Sequence, residues 1–199
     1  MKTPMPITIR AGAVALALLS LSGCLGLGGK VPDSLITLTS AATAPAGAGA
    51  SGNAASAIAI GDFEAPAKLD VNRVPVQVTD SEIAYVKDAV WNEKPARLLR
   101  RLIAETIRAK GSRLVIDGDD PGAQPETRVS GTLREMGYDA RTGEVVLVLD
   151  AAKSGAGSSV TTRRFEARVP GVTAEAAPVG AALNQAANTV AGEVAAWVG

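Results

Sequence analysis

Pro95-Ala-Arg-Leu-Leu-Arg-Arg-Leu-Ile-Ala-Glu-Thr-Ile-Arg-Ala-Lys-Gly111 is where the chain changes period. Leu98, Leu99, Leu102, Ile103, Thr106 and Ile107 recur at spacings of three and four, which places them on one face of a helix. Pro95 suits the first helical position, where an N–H would have no partner, and Gly111 reads as the residue that closes the helix. Arg97, Arg100, Arg101, Glu105 and Arg108 fall on the remaining arc, which reads as a solvated face rather than a headgroup or partner patch. Upstream the segments read as strands. Residues 34–39, 57–60, 71–78 and 82–86 have β-branched content or alternation, and Pro75 marks an edge or a bulge. Downstream, residues 114–116 form a short buried strand. Residues 127–138, 143–151 and 160–169 are longer strands, joined by Asp139-Ala-Arg-Thr-Gly143 and a glycine-serine loop, as in an antiparallel meander.

A second helical stripe starts near Pro178 and carries Val179, Leu183, Ala186, Val190, Val194 and Trp197. Its other face holds Asn184, Gln185, Asn188 and Glu193. That face lacks the Lys and Arg of a membrane-surface helix, so the helix is expected to pack on a sheet. The expected fold is α+β: a mixed, mainly antiparallel sheet with two amphipathic helices packed on one face. With 3% aromatic residues, the core must be built from Val, Leu, Ile and Ala. Of Trp91 and Trp197, one is expected in the core and the other toward a partner, and the sequence does not assign which.

The N-terminus reads as an export and anchoring signal. Lys2 and Arg10 precede an apolar run from Ala11 to Leu21, too short for a spanning helix, which needs roughly 20 residues. Leu21-Ser22-Gly23-Cys24 follows and resembles the lipobox of bacterial lipoproteins, in which the cysteine thiol is acylated after cleavage before it. Cys24 is the one cysteine in the chain, so it has no intramolecular disulfide partner. The expected organisation is a signal peptide over 1–23, a lipid-anchored tether over 24–33 and a single domain over 34–199. A low-complexity loop of Ala, Gly, Ser and Pro spans 41–57. Leu25, rather than an aspartate, follows the cysteine. By resemblance to sorted lipoproteins, this favours the periplasmic face of the outer membrane.

Composition excludes several functions. Without Lys2 and Arg10, the 20 Lys plus Arg fall to 18 against 20 Asp plus Glu, so the mature chain carries −2 and lacks the basic excess of a nucleic-acid binder. There is no histidine, which removes the usual triads and most zinc sites. Asp117-Gly-Asp-Asp-Pro-Gly122 begins like a calcium loop, but Pro121 and Arg128 stand at two ligand positions, so it reads as an acidic turn. Ser154-Gly-Ala-Gly-Ser-Ser159 has no lysine and no following helix to cradle a phosphate. Glu93 and Asp117 are the carboxylates on which an enzyme would have to draw. No cofactor is expected.

The ordered pattern resembles the ABC-type transport auxiliary lipoproteins, the PqiC-like family. A lipobox at Cys24 is followed by Leu35-Ile-Thr-Leu38, where the family has Tyr-Thr-Leu, then by an arginine-bearing edge at Arg73. Ile83-Ala-Tyr85 and Trp91-Asn-Glu-Lys-Pro95 come next, where the family has Trp-x-Glu-Pro and Lys94 is an insertion. The resemblance implies a non-catalytic outer-membrane component of a mammalian-cell-entry (MCE) and ABC-type lipid transport system. It would dock or receive an MCE-domain protein served by an ABC permease and ATPase, with phospholipid as a candidate cargo. Trp91 and Arg73 are the candidate partner contacts, and a homo-oligomer is compatible with the role. The competing expectation is a lipoprotein scaffold for a secretion or envelope-assembly machine.

Overall fold

The computed structural model describes residues 33–111, 113–117, 125–155 and 159–199. Seven strands and two long helices follow one another as β1 (Ile58–Glu64), β2 (Arg73–Gln77), β3 (Ile83–Val90), α1 (Pro95–Lys110), β4 (Val115–Asp117), β5 (Thr127–Asp139), β6 (Glu144–Ser154), β7 (Val160–Pro170) and α2 (Ala176–Val198). A 3-10 turn, Ala54–Ser56, leads into β1.

β5 is the spine of the sheet. Its one edge pairs antiparallel with β6 along its whole length, and β6 pairs in the same way with the edge strand β7. The other edge is shared: β1 lies parallel to its first half and β2 parallel to its end. β4 extends the sheet parallel to β1, and β3 extends it antiparallel to β2. The sheet is therefore mixed, with its longest ladders antiparallel. Gly137 permits the close crossing of β2 and β5, because a Cβ there would stand 2.5 Å from the Pro75 carbonyl oxygen. Pro75 itself sits at the register shift between β2 and β3.

α1 lies over β1 and β4, and α2 lies over β5, β6 and β7, with the two helices packed side by side. The expected stripe of α1 is the buried one: Leu98, Leu99, Leu102, Ile103, Thr106 and Ile107 all face the core. In α2, Val179, Leu183, Ala186, Val190 and Val194 are buried, while Trp197 is partly exposed. Opposing them are Val129, Leu133 and Met136 of β5, Val145, Leu147 and Leu149 of β6, and Phe165 of β7. This side of the sheet is aliphatic, as 3% aromatics require.

Some elements differ from expectation. Residues 34–39 do not form a strand; they make one parallel bridge, Ile36 with Trp91. The cause lies in β3, where the step from Arg73 to Pro75 is opposed by the longer run from Tyr85 to Val90. Asp88 in that run adopts φ 58°, a left-handed conformation that breaks the ladder. Beyond Trp91 the chain turns into α1, so little strand remains to pair with. Gly111 ends α1 in an extended conformation, φ −119°, rather than the left-handed one usual for a closing glycine. α2 begins at Ala176, a little before Pro178.

Candidate functional site

The lipobox residues Leu21, Ser22, Gly23 and Cys24 lie outside the described residues. So do most of the acidic turn after Asp117 and the middle of the glycine-serine loop. The two candidate partner contacts fare differently. Trp91 is 1% exposed and belongs to the hydrophobic core, and its indole Nε1 has no hydrogen-bond partner among the described residues. Its ring therefore does not present a docking surface, which corrects the expectation placed on it. Arg73 is exposed, with its guanidinium 4.1 Å from the centroid of the Tyr85 ring.

The carboxylates on which an enzyme would draw are engaged. Glu93 receives Arg97 at 3.3 Å and Arg101 at 2.6 Å. Asp117 receives Arg100 at 3.1 Å, and the Arg100 side chain is only 13% exposed. Among the described residues no group of three or more His, Cys, Asp and Glu is placed to hold a metal. No described helix is long and apolar enough to cross a membrane.

Three surfaces remain. The first is the sheet face away from the helices. Asp150 of β6 stands between Arg164 of β7, which reaches it at 2.6 and 2.8 Å, and Arg134 of β5 at 2.9 Å. The hydrogen bonds from Arg164, then those from Arg134, lower the Asp150 carboxyl to about 2. Arg168 bridges Glu144 and Glu166, and Lys68 grips Glu135 at 2.6 Å. Arg141 folds back on Asp139 with its backbone N–H and its guanidinium, which holds that carboxyl below its usual range and pins the β5–β6 turn. Gly143 closes the turn at φ 67°. Lys68, Glu135, Asp139, Arg141 and Arg168 line a cleft of about 490 Å³ whose apolar wall includes Pro75, Ile83, Tyr138 and Val146. Each of its cations already has a carboxylate.

The second surface is a strap. Residues 36–44 run over the helices and are fastened by side chains. Ile36 lies against Gly180 of α2, where a Cβ would meet its side chain at 3.4 Å. The Thr39 N–H donates to Asn184 Oδ1 at 2.8 Å, and the Ala41 N–H to Asn188 Oδ1 at 2.7 Å. Asn188 Nδ2 donates to the Thr39 carbonyl at 2.9 Å, so one carboxamide serves two peptide groups as a neighbouring strand would. The Ala44 N–H then donates to Glu105 Oε1 of α1 at 3.0 Å. Gly180, Asn184 and Asn188 are spaced four apart, one line along α2. The start of the low-complexity loop is thus tied down, and the polar face of α2 supplies its fastening through Asn184 and Asn188. The i, i+4 pair of asparagines was the available signal.

The third surface is the end of the molecule where both helices finish. Lys153 Nζ sits 4.9 Å from the Trp197 ring centroid and donates to the Trp197 carbonyl at 2.9 Å. Trp197 meets Phe165 edge to face at 5.6 Å, and Arg163 lies 4.9 Å over Phe165. Arg113 donates to the Ser56 carbonyl and to Thr127. An apolar groove of about 230 Å³ opens beside them, between Ile58, Ile107 and Ala195, with Lys110 and Arg113 at its rim.

Among solved structures the fold is similar to protein XCC0632 from Xanthomonas campestris, a DUF330 protein. The TM-score is 0.66 at 19% identity, covering 82% of this chain and 93% of that one. It is also similar to the crystal structure of an uncharacterised protein, with TM-score 0.64 at 12% identity, covering 83% and 100%. Comparison with curated proteins returned no match. The sequence matches the ABC-type transport auxiliary lipoprotein component family over residues 37–195, from the strap to the last turn of α2. The chain belongs to the family of ABC-type transport auxiliary lipoprotein components.

Proposed function

We propose that the protein is a non-catalytic, outer-membrane lipoprotein of an MCE and ABC-type lipid transport system, docking or receiving the periplasmic partner. The observation that carries this is the extent of the family match. It takes in nearly all of the folded part and leaves residues 1–36, with the lipobox-like sequence at Cys24, for export and anchoring. The ion-paired states of Glu93 and Asp117 support a role without chemistry of its own. Energy would come from a partner ATPase. A tether of ten residues reaches at most about 35 Å, so the folded part works close to its membrane.

Two acyl chains or more hold such an anchor durably, at about 0.8 kcal/mol per buried CH₂. Cys24→Ala is therefore expected to abolish palmitate labelling and to leave the protein out of the outer-membrane fraction. Absence of label on the wild type would remove the anchoring reading. The transport reading itself is tested by deletion and by crosslinking in intact cells. It fails if lipid distribution and envelope permeability are unaltered and no MCE-domain protein is captured.

A further inference from the structure

We propose that the end of the domain formed by the C-termini of both helices is a docking surface for an acidic, apolar-bearing segment of a protein partner. The cations of this end differ from those of the open sheet face in what holds them. On the open sheet face Lys68, Arg134, Arg141, Arg164 and Arg168 each have a carboxylate. Lys110, Arg113, Lys153 and Arg163 make no ion pair among the described residues. Carbonyls, a hydroxyl and aromatic rings hold the last three, and Lys110 lies across Gly192. Glu126 and Glu193, near this end in the chain, are exposed and make no ion pair with them. Each helix terminus contributes roughly half a negative charge, about one in total, which falls short of four cations.

Chemistry and position both narrow the occupant. Cations held by rings and carbonyls keep their charge unneutralised, so carboxylates are the complementary groups. The groove between Ile58, Ile107 and Ala195 accepts a side chain of aliphatic size. The chain to Cys24 leaves at the opposite end: Ser34 and Leu35 line a groove with Ala176 and Ala177, in the first turn of α2. Some 20 residues of helix, about 30 Å, separate that point from Trp197. If the anchor holds the domain from Ser34, the basic end is the part of the domain far from the point of attachment. This orientation rests on the anchoring reading; the charge pattern does not.

The test uses the full mature chain carrying Cys24→Ser, titrated with a synthetic peptide alternating Glu and Leu. The two indole N–H resonances are followed by NMR and assigned with Trp197→Phe. The Trp197 resonance is expected to shift and the buried Trp91 resonance to stay, with binding that weakens as salt rises. Lys110→Glu with Arg163→Glu should weaken binding at least tenfold at an unchanged melting temperature. Arg97→Glu with Arg101→Glu, the same change of charge at the other end of α1, should leave binding within about twofold. No shift at Trp197, or equal loss in both double variants, overturns the proposal. So does equal or tighter binding of phosphatidylglycerol vesicles through the same residues, which would make this end a membrane surface. None of these outcomes touches the palmitate and deletion experiments that decide the transport reading.

Discussion

Asp150 shows how single residues on the open face are tuned. Two arginines from the flanking strands hold its carboxyl down to about 2, below the roughly 3.9 of an unfolded chain. A depressed carboxyl contributes stability that is fully present above the unfolded value and is lost as pH falls through the folded one. Asp150→Asn is therefore expected to lower the melting temperature by a constant amount above about pH 4.5. The gap to the wild type should close between about pH 4 and 2. A gap that persists unchanged at pH 2 would mean that the carboxamide disturbs packing rather than charge. At this scale the sequence was least legible. Asp150, Arg134 and Arg164 are distant in the chain, and only the β5–β6–β7 register brings them together. Trp91 was open for the same reason: being large and apolar makes a residue equally fit for a core or an interface.

Elements were more legible where a local period carried them. Both helical stripes and the three long strands follow from spacing alone, because burial on one face imposes the period. The strap was not legible as such. Its bonds join Thr39 and Ala41 to Asn184 and Asn188, and although the i, i+4 spacing of the asparagines marks a row on α2, nothing in it names the distant backbone that it grips. The joining of β1 and β2 to one edge of β5 was invisible too, since parallel pairing has no connecting turn to announce it. The strap makes its own prediction. Asn188 supplies two of its bonds and is the acceptor for the Ala41 N–H, so Asn188→Ala is expected to speed hydrogen exchange at the Ala41 amide by tenfold or more. Amides of β5 and β6 should keep their protection. Uniform acceleration across the domain would show that the strap is part of the cooperative core.

The described residues share one core, formed by α1, α2 and the inner face of the sheet. Two tryptophans report on it from different places, Trp91 within and Trp197 at the end of α2. Their fluorescence is expected to change at one urea midpoint. Leu102→Asp should lower that midpoint by several kcal/mol of stability, because it leaves a buried charge without a partner. Arg101→Asp, at an exposed position, should cost far less, the loss of its Glu93 pair being worth about 1 kcal/mol at most. Separate midpoints for the two tryptophans, or equal costs for the two substitutions, would contradict a single core.

The fastening of the strap to α2 also bears on the order in which the chain folds. Residues 36–41 can be seated only once Gly180, Asn184 and Asn188 exist as a helix, and that helix is itself seated on β5, β6 and β7. Contacts that span about 145 residues close late, because long loops must be ordered before such contacts form. A polypeptide threading through a translocation channel with its N-terminus leading would thus emerge with this segment still loose. If residues 1–23 are the export signal proposed above, the segment next to it would leave the channel early and be fastened late, so the proposed cleavage site before Cys24 would stay open to processing enzymes until the domain behind it had formed.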